Sequence, residues 1–343
     1  MKRAVQILSF VAGSAAIALL ALAGRTDADL SAAGAEMAKA ADAFLAGLTP
    51  EQKAKACFEL GDAERLNWHF IPRPRKGLPI KEMNEAQRKA AHALLAAGLS
   101  QSGYKKAETI MSLETIIKEL EGPNGKMVRD PELYYFSVFG KPGPTWAWRM
   151  EGHHLSFNFT VVNGKFIAAG PAFMGSNPGE VKSGPHTGLR VLGADEDLGR
   201  ELAKSLDADQ AKAGILPGAA PADILFVPGK KPGPLEPAGV AWAQLKPAQQ
   251  ALVWKIVEEY AKRLRGDIAA RDLAAIKKET LVFAWAGPLE RHQGHYYRIQ
   301  GPHFTIEYDN TQGNGNHVHS VWHDHADNFG ESLLKTHYKE EHK

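Results

Sequence analysis

The sequence predicts an α+β fold, with a mostly antiparallel sheet flanked by helices and an N-terminal helical section. Apolar residues recur at helical spacing in the first third of the chain and again across residues 247–264. Between and after these stretches the period changes to two, and aromatic and β-branched side chains become frequent. Short turns such as Asn163-Gly164 join neighbouring segments, which is typical of antiparallel strands.

The N-terminus predicts export. Met1-Lys2-Arg3 is basic, residues 4–23 form an uncharged apolar run, and Ala21-Leu22-Ala23 fits a small-x-small cleavage site. We therefore expect residues 1–23 to be a signal peptide and the protein to be periplasmic or secreted. The run is also long enough to cross a bilayer, so an N-terminal anchor is the alternative. The single cysteine, Cys57, rules out an intramolecular disulfide.

Residues 24–343 are predicted to form a single α+β domain. The Pro/Gly-rich passage 217–239 interrupts the chain, but strands are expected on both sides of it, which favours one unit over a two-domain split at this passage. The net charge is +2, and no extended Lys/Arg stripe is interleaved with aromatic residues, which argues against nucleic acid as a partner. We expect a small-molecule ligand, and membrane contact only through an uncleaved N-terminus. Nothing in the sequence indicates an oligomeric state.

Three segments share a helix-start pattern, a large apolar residue four positions before a glutamine. Thr49 and Asn84 are good N-caps, Pro50 and Pro247 suit the first helical position, and a glutamine three residues after the cap can close a capping box. The predicted helices cover residues 51–60, 85–99, 103–120 and 247–264.

Six segments read as strands: residues 134–139, 146–162, 165–172, 281–285, 296–299 and 304–308. A polar turn at 310–316 then leads into a further strand that begins at His317. Because neighbours on a strand face opposite ways, His153 and His154 cannot serve the same site unless Gly152 marks a bulge or bend.

The stretch from Glu307 to His325 holds four of the fourteen histidines. Alternation places His317 and His319 on one strand face, with Cα atoms about 6.5 to 7 Å apart, which is close enough for one metal ion. We predict a divalent transition metal on these two residues and on His154, or on His153 if the chain bends there. Zinc suits these ligands best, and copper and iron are alternatives.

Two carboxylates and two arginines complete the predicted catalytic chemistry. Glu307 or Asp309 would be a further ligand or the general base. Arg149 and Arg190 could orient an anionic group, although each also fits a structural ion pair. Asn158 and Asn310 are the remaining candidates for substrate binding. No GxSxG, P-loop or HExxH motif occurs, and Cys57 has no activating neighbour. The sequence therefore gives no support for Ser/His/Asp hydrolysis, ATP chemistry or cysteine catalysis.

Several blocks of the sequence together carry a family resemblance. They are Arg129-Asp-Pro131 with Tyr134, Trp146-Ala-Trp-Arg149 continuing into Gly152-His-His-Leu-Ser-Phe-Asn158, Pro171-Ala-Phe-Met-Gly175 with Asn177-Pro178, Gly188-Leu-Arg190, Glu307-Tyr-Asp-Asn-Thr-Gln312 and Asn316-His-Val-His-Ser-Val-Trp322. These blocks resemble the domain of unknown function 3500 family of exported bacterial proteins, whose activity is unassigned. The family usually has arginine where this sequence has His323, which argues against His323 as an essential ligand. His323 and His325 also lie beyond the aromatic end of the strand, in a polar passage, so both are expected to be solvated. The HxH pair also matches cupins in part.

The function that these residues predict is an exported metal-dependent enzyme, a hydrolase acting on a small anionic substrate through the HxH-centred site. A periplasmic metal- or ligand-binding protein without turnover is the alternative, and it predicts a closed coordination sphere with little room for substrate. A third possibility is a structural exported domain whose histidines and carboxylates form a hydrogen-bonded core network.

Overall fold

A computed structural model describes residues 29–341 of the chain. The predicted signal peptide or anchor at residues 1–23 lies outside this range. Within it, no helix combines the length and the apolar character that crossing a membrane requires.

Nine helices flank the sheet in the described part of the chain, and their starts follow the predicted capping pattern. The Thr49 hydroxyl accepts a hydrogen bond from the Gln52 backbone N–H, and the Thr49 backbone N–H donates to the Gln52 side-chain oxygen. Asn84 and Gln87 form the same capping box. These pairs satisfy N–H groups that have no partner within the helix. The helices are α1 (Ser31–Ala46), α2 (Pro50–Ala56), α3 (Glu85–Gly98), α4 (Gln101–Glu121), α5 (Gly193–Ser205), α6 (Ala208–Gly214), α7 (Pro247–Ala261), α8 (Gly266–Ala275) and α9 (Glu331–Glu341).

Within residues 29–341, twelve strands form one mostly antiparallel sheet, so the α+β prediction is confirmed. The strands are β1 (Cys57–Phe58), β2 (Leu78–Pro79), β3 (Tyr134–Phe139), β4 (Trp146–Gly152), β5 (Leu155–Val162), β6 (Phe166–Ala168), β7 (Ala172–Ser176), β8 (Val240–Ala241), β9 (Val282–Ala286), β10 (Tyr296–Gln300), β11 (Phe304–Gln312) and β12 (His317–Asp324). Their order is β1-β3-β4-β5-β7-β12-β11-β10-β9-β8, with β2 on β3 and β6 on β5. The central pair β7 and β12 therefore joins strands from both sides of residues 217–239.

The two faces of the sheet differ in chemistry. One face carries apolar side chains such as Phe136, Trp148 and Phe157, which belong to the main core with the helices. The other face carries buried polar side chains, including Glu151 and Glu307. Two irregular segments, residues 59–77 and 215–239, cover this polar face, and Trp68, Phe70, Phe173, Ile224 and Val321 form a small apolar cluster beneath them.

The halves of the chain repeat one topology around the β7–β12 pair. In each half a short strand pairs with the first long strand, Leu78 with Phe136 and Val240 with Phe283. The covering segments also match, because residues 68–72 read Trp-His-Phe-Ile-Pro and residues 224–228 read Ile-Leu-Phe-Val-Pro. In each half the glutamines of two capping boxes hydrogen-bond to each other, Gln52 to Gln87 and Gln210 to Gln249. Antiparallel pairing brings the two halves together at the centre of the sheet.

Several predicted boundaries were wrong. Residues 146–162 are not one strand but the hairpin β4–β5, with a turn at His153-His154. Residues 165–172 split into β6 and the start of β7 around Gly170-Pro171, because proline cannot donate to a strand ladder. The first short helix ends at Ala56 because Cys57 pairs with Val138 in β1. The polar turn is shorter than predicted, since β11 extends to Gln312.

Candidate metal centre

A tight turn presents two neighbouring histidines at the end of the β4–β5 hairpin. His154 has a φ of 64°, in the left-handed region, and its backbone N–H donates to the Phe70 carbonyl over 2.9 Å. The rings of His153 and His154 stack with centroids 3.8 Å apart. The bend that we considered for Gly152 therefore occurs at the two residues that follow it, and strand alternation does not separate the two imidazoles.

The second pair of histidines lies on β12, as predicted. The His317 and His319 rings share one face of the strand, with centroids 4.8 Å apart. His319 lies between Gly175 of β7 and Asp309 of β11 in the sheet. Glycine at position 175 leaves room for the hairpin histidine, because a Cβ atom there would lie only 2.8 Å from Cδ2 of His154.

Three imidazoles converge at the centre of the sheet. The candidate ligand atoms of His154, His317 and His319 all lie within 4.8 Å of one another. The Nε2 atoms of His154 and His317 are 2.8 Å apart. Zinc–imidazole distances of about 2.0 to 2.1 Å in a tetrahedral site place nitrogen ligands roughly 3.4 Å apart, so small adjustments would seat one ion between these rings. We call these three residues the histidine triad.

The electrostatic setting keeps two members of the triad, His154 and His317, neutral. Burial lowers the pKa of His154 well below its usual value, and the neighbouring imidazoles, first His153, lower it further. Burial, followed by the proximity of His319, lowers the pKa of His317 to about 3. A neutral imidazole offers a lone pair, which is the form that binds a metal ion. The donor set therefore fits a divalent transition metal.

Asp223 holds one member of the triad in place. Its Oδ1 atom lies 2.6 Å from Nδ1 of His319, and its Oδ2 atom accepts a hydrogen bond from Gln312. A carboxylate on Nδ1 fixes the tautomer and leaves Nε2 for a metal. The rings of Phe70 and Phe173 pack against the same imidazole, with centroids 4.8 and 5.5 Å from its centroid. Sequence reasoning missed Asp223, whose only local signal is an acid followed by the apolar residues 224–227 in a Pro/Gly-rich passage.

Glu307 anchors the passage that carries Asp223. Its buried carboxylate accepts hydrogen bonds from the backbone N–H groups of Leu225 and Phe226, at 2.6 and 3.0 Å, and from the Tyr296 hydroxyl at 2.8 Å. Burial raises the pKa of Glu307, although these three donors oppose the rise. Glu307 is not part of the triad, because donors from the covering segment and from β10 already occupy the oxygens of its carboxylate.

Asp309 differs from Glu307 in having a free oxygen. Its Oδ1 atom accepts from the backbone and hydroxyl of Thr311, at 2.9 and 2.8 Å. Its Oδ2 atom is buried without a hydrogen-bond partner among the described residues. Burial, with a smaller contribution from the charge of Asp223, raises the pKa of Asp309 to about 7. Asp309 is the cross-strand neighbour of His319, and its carboxyl group can exchange a proton near neutral pH.

The predicted arginines are engaged in ion pairs. Arg149 is buried, and its guanidinium donates to the Glu64 carbonyl and carboxylate over 2.7 and 2.6 Å. Arg190 binds Glu196 and Asp197 at the start of α5. The structure therefore brings neither guanidinium group to the triad.

The predicted asparagines also make structural contacts. Asn158 donates to the Pro171 carbonyl over 2.8 Å, and Asn310 accepts from the His295 backbone over 2.7 Å. His323 is buried rather than solvated, because β12 extends past it, and its ring contacts the Phe226 carbonyl and the Asn328 side chain. His325 is half-buried, and its ring nitrogens contact Thr305 and the Pro302 carbonyl.

His153 faces a cavity of about 510 Å³ instead of joining the triad. Its Nδ1 atom contacts the buried carboxylate of Glu114 and lies 3.3 Å from Arg129. Glu114 was also missed by sequence reasoning. Its signal was an acid between Ile110 and Ile117 on the apolar face of a helix, where a carboxylate needs a buried partner.

Comparison with known proteins gives one match. A family model described as "Protein of unknown function (DUF3500)" matches residues 31–331, a span that contains the triad and Asp223. No curated protein and no solved structure matches the chain.

Proposed function

We propose that this chain, which belongs to the domain of unknown function 3500 family, is an exported metal-dependent enzyme that hydrolyses a small anionic substrate. The observation that carries the proposal is the convergence of His154, from the first half of the chain, with His317 and His319 from the second. Three protein ligands leave a fourth position open, which is typical of catalytic rather than structural zinc sites.

The arrangement supports a division of roles among the chain's own residues. A bound divalent ion would lower the pKa of a coordinated water towards about 7. Asp223 orients His319, and the ring packing of Phe70 and Phe173 excludes water from that side of the imidazole. We assign the general base to Asp309 rather than to Glu307, because Asp309 has an oxygen without a hydrogen-bond partner and a pKa near neutral.

Two side chains mark where a substrate would approach. His317 is partly exposed, whereas His154 and His319 are buried. The Asp223 side chain is 28% exposed and contacts Gln312, the cross-strand neighbour of His317. A substrate would therefore approach a bound ion from the edge of the site that His317 and Asp223 mark.

Zinc is the favoured metal, with copper and iron as alternatives, because imidazole nitrogens suit all three ions. Metal content by mass spectrometry, after separate dialysis against each of these ions and removal of unbound metal, tests the site without competition from copper, which binds nitrogen sites more tightly than zinc. We expect about one zinc per chain in the wild type and less than a tenth of that in His317→Ala and His319→Ala. His186→Ala changes an exposed histidine and should retain the wild-type content. No bound metal, or equal metal in all four proteins, would contradict the proposal.

A binding protein without turnover is the second candidate, and one observation favours it. The triad is largely buried, and neither the cavity beside His153 nor a more open one beside Thr311 is lined by its three histidines. Hydrolysis of the anionic esters p-nitrophenyl phosphate, bis-(p-nitrophenyl) phosphate and p-nitrophenyl sulfate by metal-loaded and chelator-treated protein separates the candidates. Metal-dependent hydrolysis that is lost in His319→Ala supports the enzyme. One tightly bound ion with no hydrolysis of any ester supports the binding protein.

A further inference from the structure

The cavity beside His153 lies one imidazole ring away from the triad. His153 forms part of its wall, and the other face of that ring stacks on His154 with centroids 3.8 Å apart. The remaining walls come from residues 72–75 of the covering segment, Glu114 of α4, and residues 126–135. The cavity is thus separate from the space between His317 and Asp223.

The acidic residues of the cavity wall each lie near a cation. Glu114 interacts electrostatically with the Arg129 guanidinium, and Asp130 accepts from the Lys81 ammonium over 2.6 Å. Behind the wall, Glu151 lies 3.3 Å from Arg149. These carboxylates therefore leave little negative charge to repel an anion.

Two cations in the wall form no ion pair within the described part of the chain. Arg73 donates to the backbone and side-chain oxygens of Asn67, both of which are neutral. Lys126 is exposed and makes no ion pair with any of the residues described. Arg75, in contrast, donates to the carbonyls of four residues and lies 3.7 Å from Glu151. The uncompensated positive charge of the cavity thus comes from Arg73 and Lys126.

The mouth of the same cavity is apolar. Met127 is 53% exposed and Val128 is 72% exposed, which is unusual for large apolar side chains and marks a surface that gains from contact with an apolar group. Leu133 and Pro72 extend this apolar surface along the cavity wall. A volume of about 510 Å³ lies in the range of about 300 to 1,000 Å³ that is typical of small-molecule sites.

We infer that this cavity binds an organic anion with an apolar body, such as an aryl or alkyl carboxylate. The carboxylate would lie between Arg73 and Lys126, and the apolar body would pack against Met127 and Val128. Binding itself is independent of the metal. Only the further statement that such anions are substrates of the enzyme rests on the proposed function.

Isothermal titration calorimetry on the metal-free protein tests the inference with three matched probes. 2-Naphthoate has both features, 2-naphthalenemethanol keeps the ring without the charge, and acetate keeps the charge without the ring. We expect 2-naphthoate to bind at least about tenfold more tightly than either of the others, because only it satisfies the cations and the apolar surface together. Equal affinity for the alcohol would overturn the charge argument, and equal affinity for acetate would overturn the apolar one.

Two variants locate the binding and one serves as control. Arg73→Gln and Lys126→Gln should each weaken 2-naphthoate binding by about three- to tenfold and leave the weak binding of the alcohol unchanged. Lys141→Gln alters an exposed lysine in the β3–β4 turn and should have no effect. Wild-type affinity in both cavity variants would contradict the assignment. Retained 2-naphthoate binding in His319→Ala, together with lost metal, distinguishes this site from the metal centre; loss of 2-naphthoate binding there would contradict the independence of the cavity.

Discussion

The Nδ1 atom of His319 lies 2.6 Å from the Oδ1 atom of Asp223, although 96 residues separate them in the chain. This contact ties the Pro/Gly-rich segment 215–239 to the central strand β12. Because the carboxylate holds the Nδ1 side of the ring, the Nε2 side is directed towards His154 and His317. A segment that reads as a linker therefore supplies an orienting group of the candidate metal centre.

Replacing Asp223 should weaken metal binding without removing a ligand. We expect Asp223→Asn to lower zinc affinity by about 10- to 100-fold, because the amide no longer fixes the tautomer and orientation of His319. Competition with a chromogenic chelator measures the affinity. Asp209→Asn changes an exposed carboxylate on α6 and is the control. An unchanged affinity in Asp223→Asn would show that the contact does not orient a ligand.

Gly175 provides the space that His154 occupies. In Gly175→Ala the new Cβ atom would lie 2.8 Å from Cδ2 of His154 and 3.0 Å from the Val318 carbonyl oxygen. We expect the histidine to be displaced, zinc affinity to fall by about tenfold or more, and the free energy of unfolding to drop by about 1 to 3 kcal/mol. Gly61→Ala, where no atom lies within 4 Å of the added group, should match the wild type in both measurements. Wild-type zinc affinity in Gly175→Ala would mean that His154 is not a ligand.

Asp309 should make the metal-free protein less stable as the pH rises. Burial raises its pKa from 3.8 to about 7, so the folded state favours the protonated carboxyl. The stabilisation that this proton provides is complete below pH 4, declines as the unfolded chain ionises, and is gone above pH 7. The shift corresponds to at most about 4 kcal/mol.

Asp309→Asn isolates this effect, because the amide does not titrate. We expect the variant to match the wild type at pH 4 and to exceed its free energy of unfolding by about 1 to 4 kcal/mol at pH 8, as measured by urea denaturation. Comparison of the two proteins at each pH removes the contributions of His154 and His317, which both proteins share. A difference that does not depend on pH would contradict the raised pKa.

Glu307 should contribute to the stability of the fold and, by holding the segment that carries Asp223, to the zinc affinity. In Glu307→Gln the side-chain amide cannot accept from all three of the donors that the carboxylate satisfies. We expect a loss of about 2 to 4 kcal/mol in the free energy of unfolding, since buried donors are left without acceptors. Loosening of residues 224–226 should also lower zinc affinity. Glu290→Gln, at a 71% exposed side chain, is the control, and a stability loss equal to that control would refute the anchoring role.

Much of the scaffold is predictable because its signals are local. The capping residues Thr49 and Asn84 begin helices where expected, and strand alternation correctly puts His317 and His319 on one face. These features depend on neighbours a few residues away. Period-two patterns also predicted the antiparallel sheet, although not the order of its strands.

The completion of the site depends on contacts between distant segments. Residues 146–162 alternate almost continuously, and the hairpin turn uses His154 rather than glycine at a positive φ, so the neighbouring Gly152 is the one local signal of a bend there. The pairing of Asp223 with His319 exists only because the covering segment folds over the polar face. Arg149 likewise gains its partner, Glu64, from the other covering segment.

Anomalous X-ray diffraction from crystals soaked with zinc, recorded at the zinc edge, tests the metal centre most directly. We predict one strong peak among the Nε2 atoms of His154, His317 and His319, about 2.0 to 2.1 Å from each, with His153 uncoordinated. Absence of a peak at this position, or a peak whose ligands exclude His154, would contradict the account.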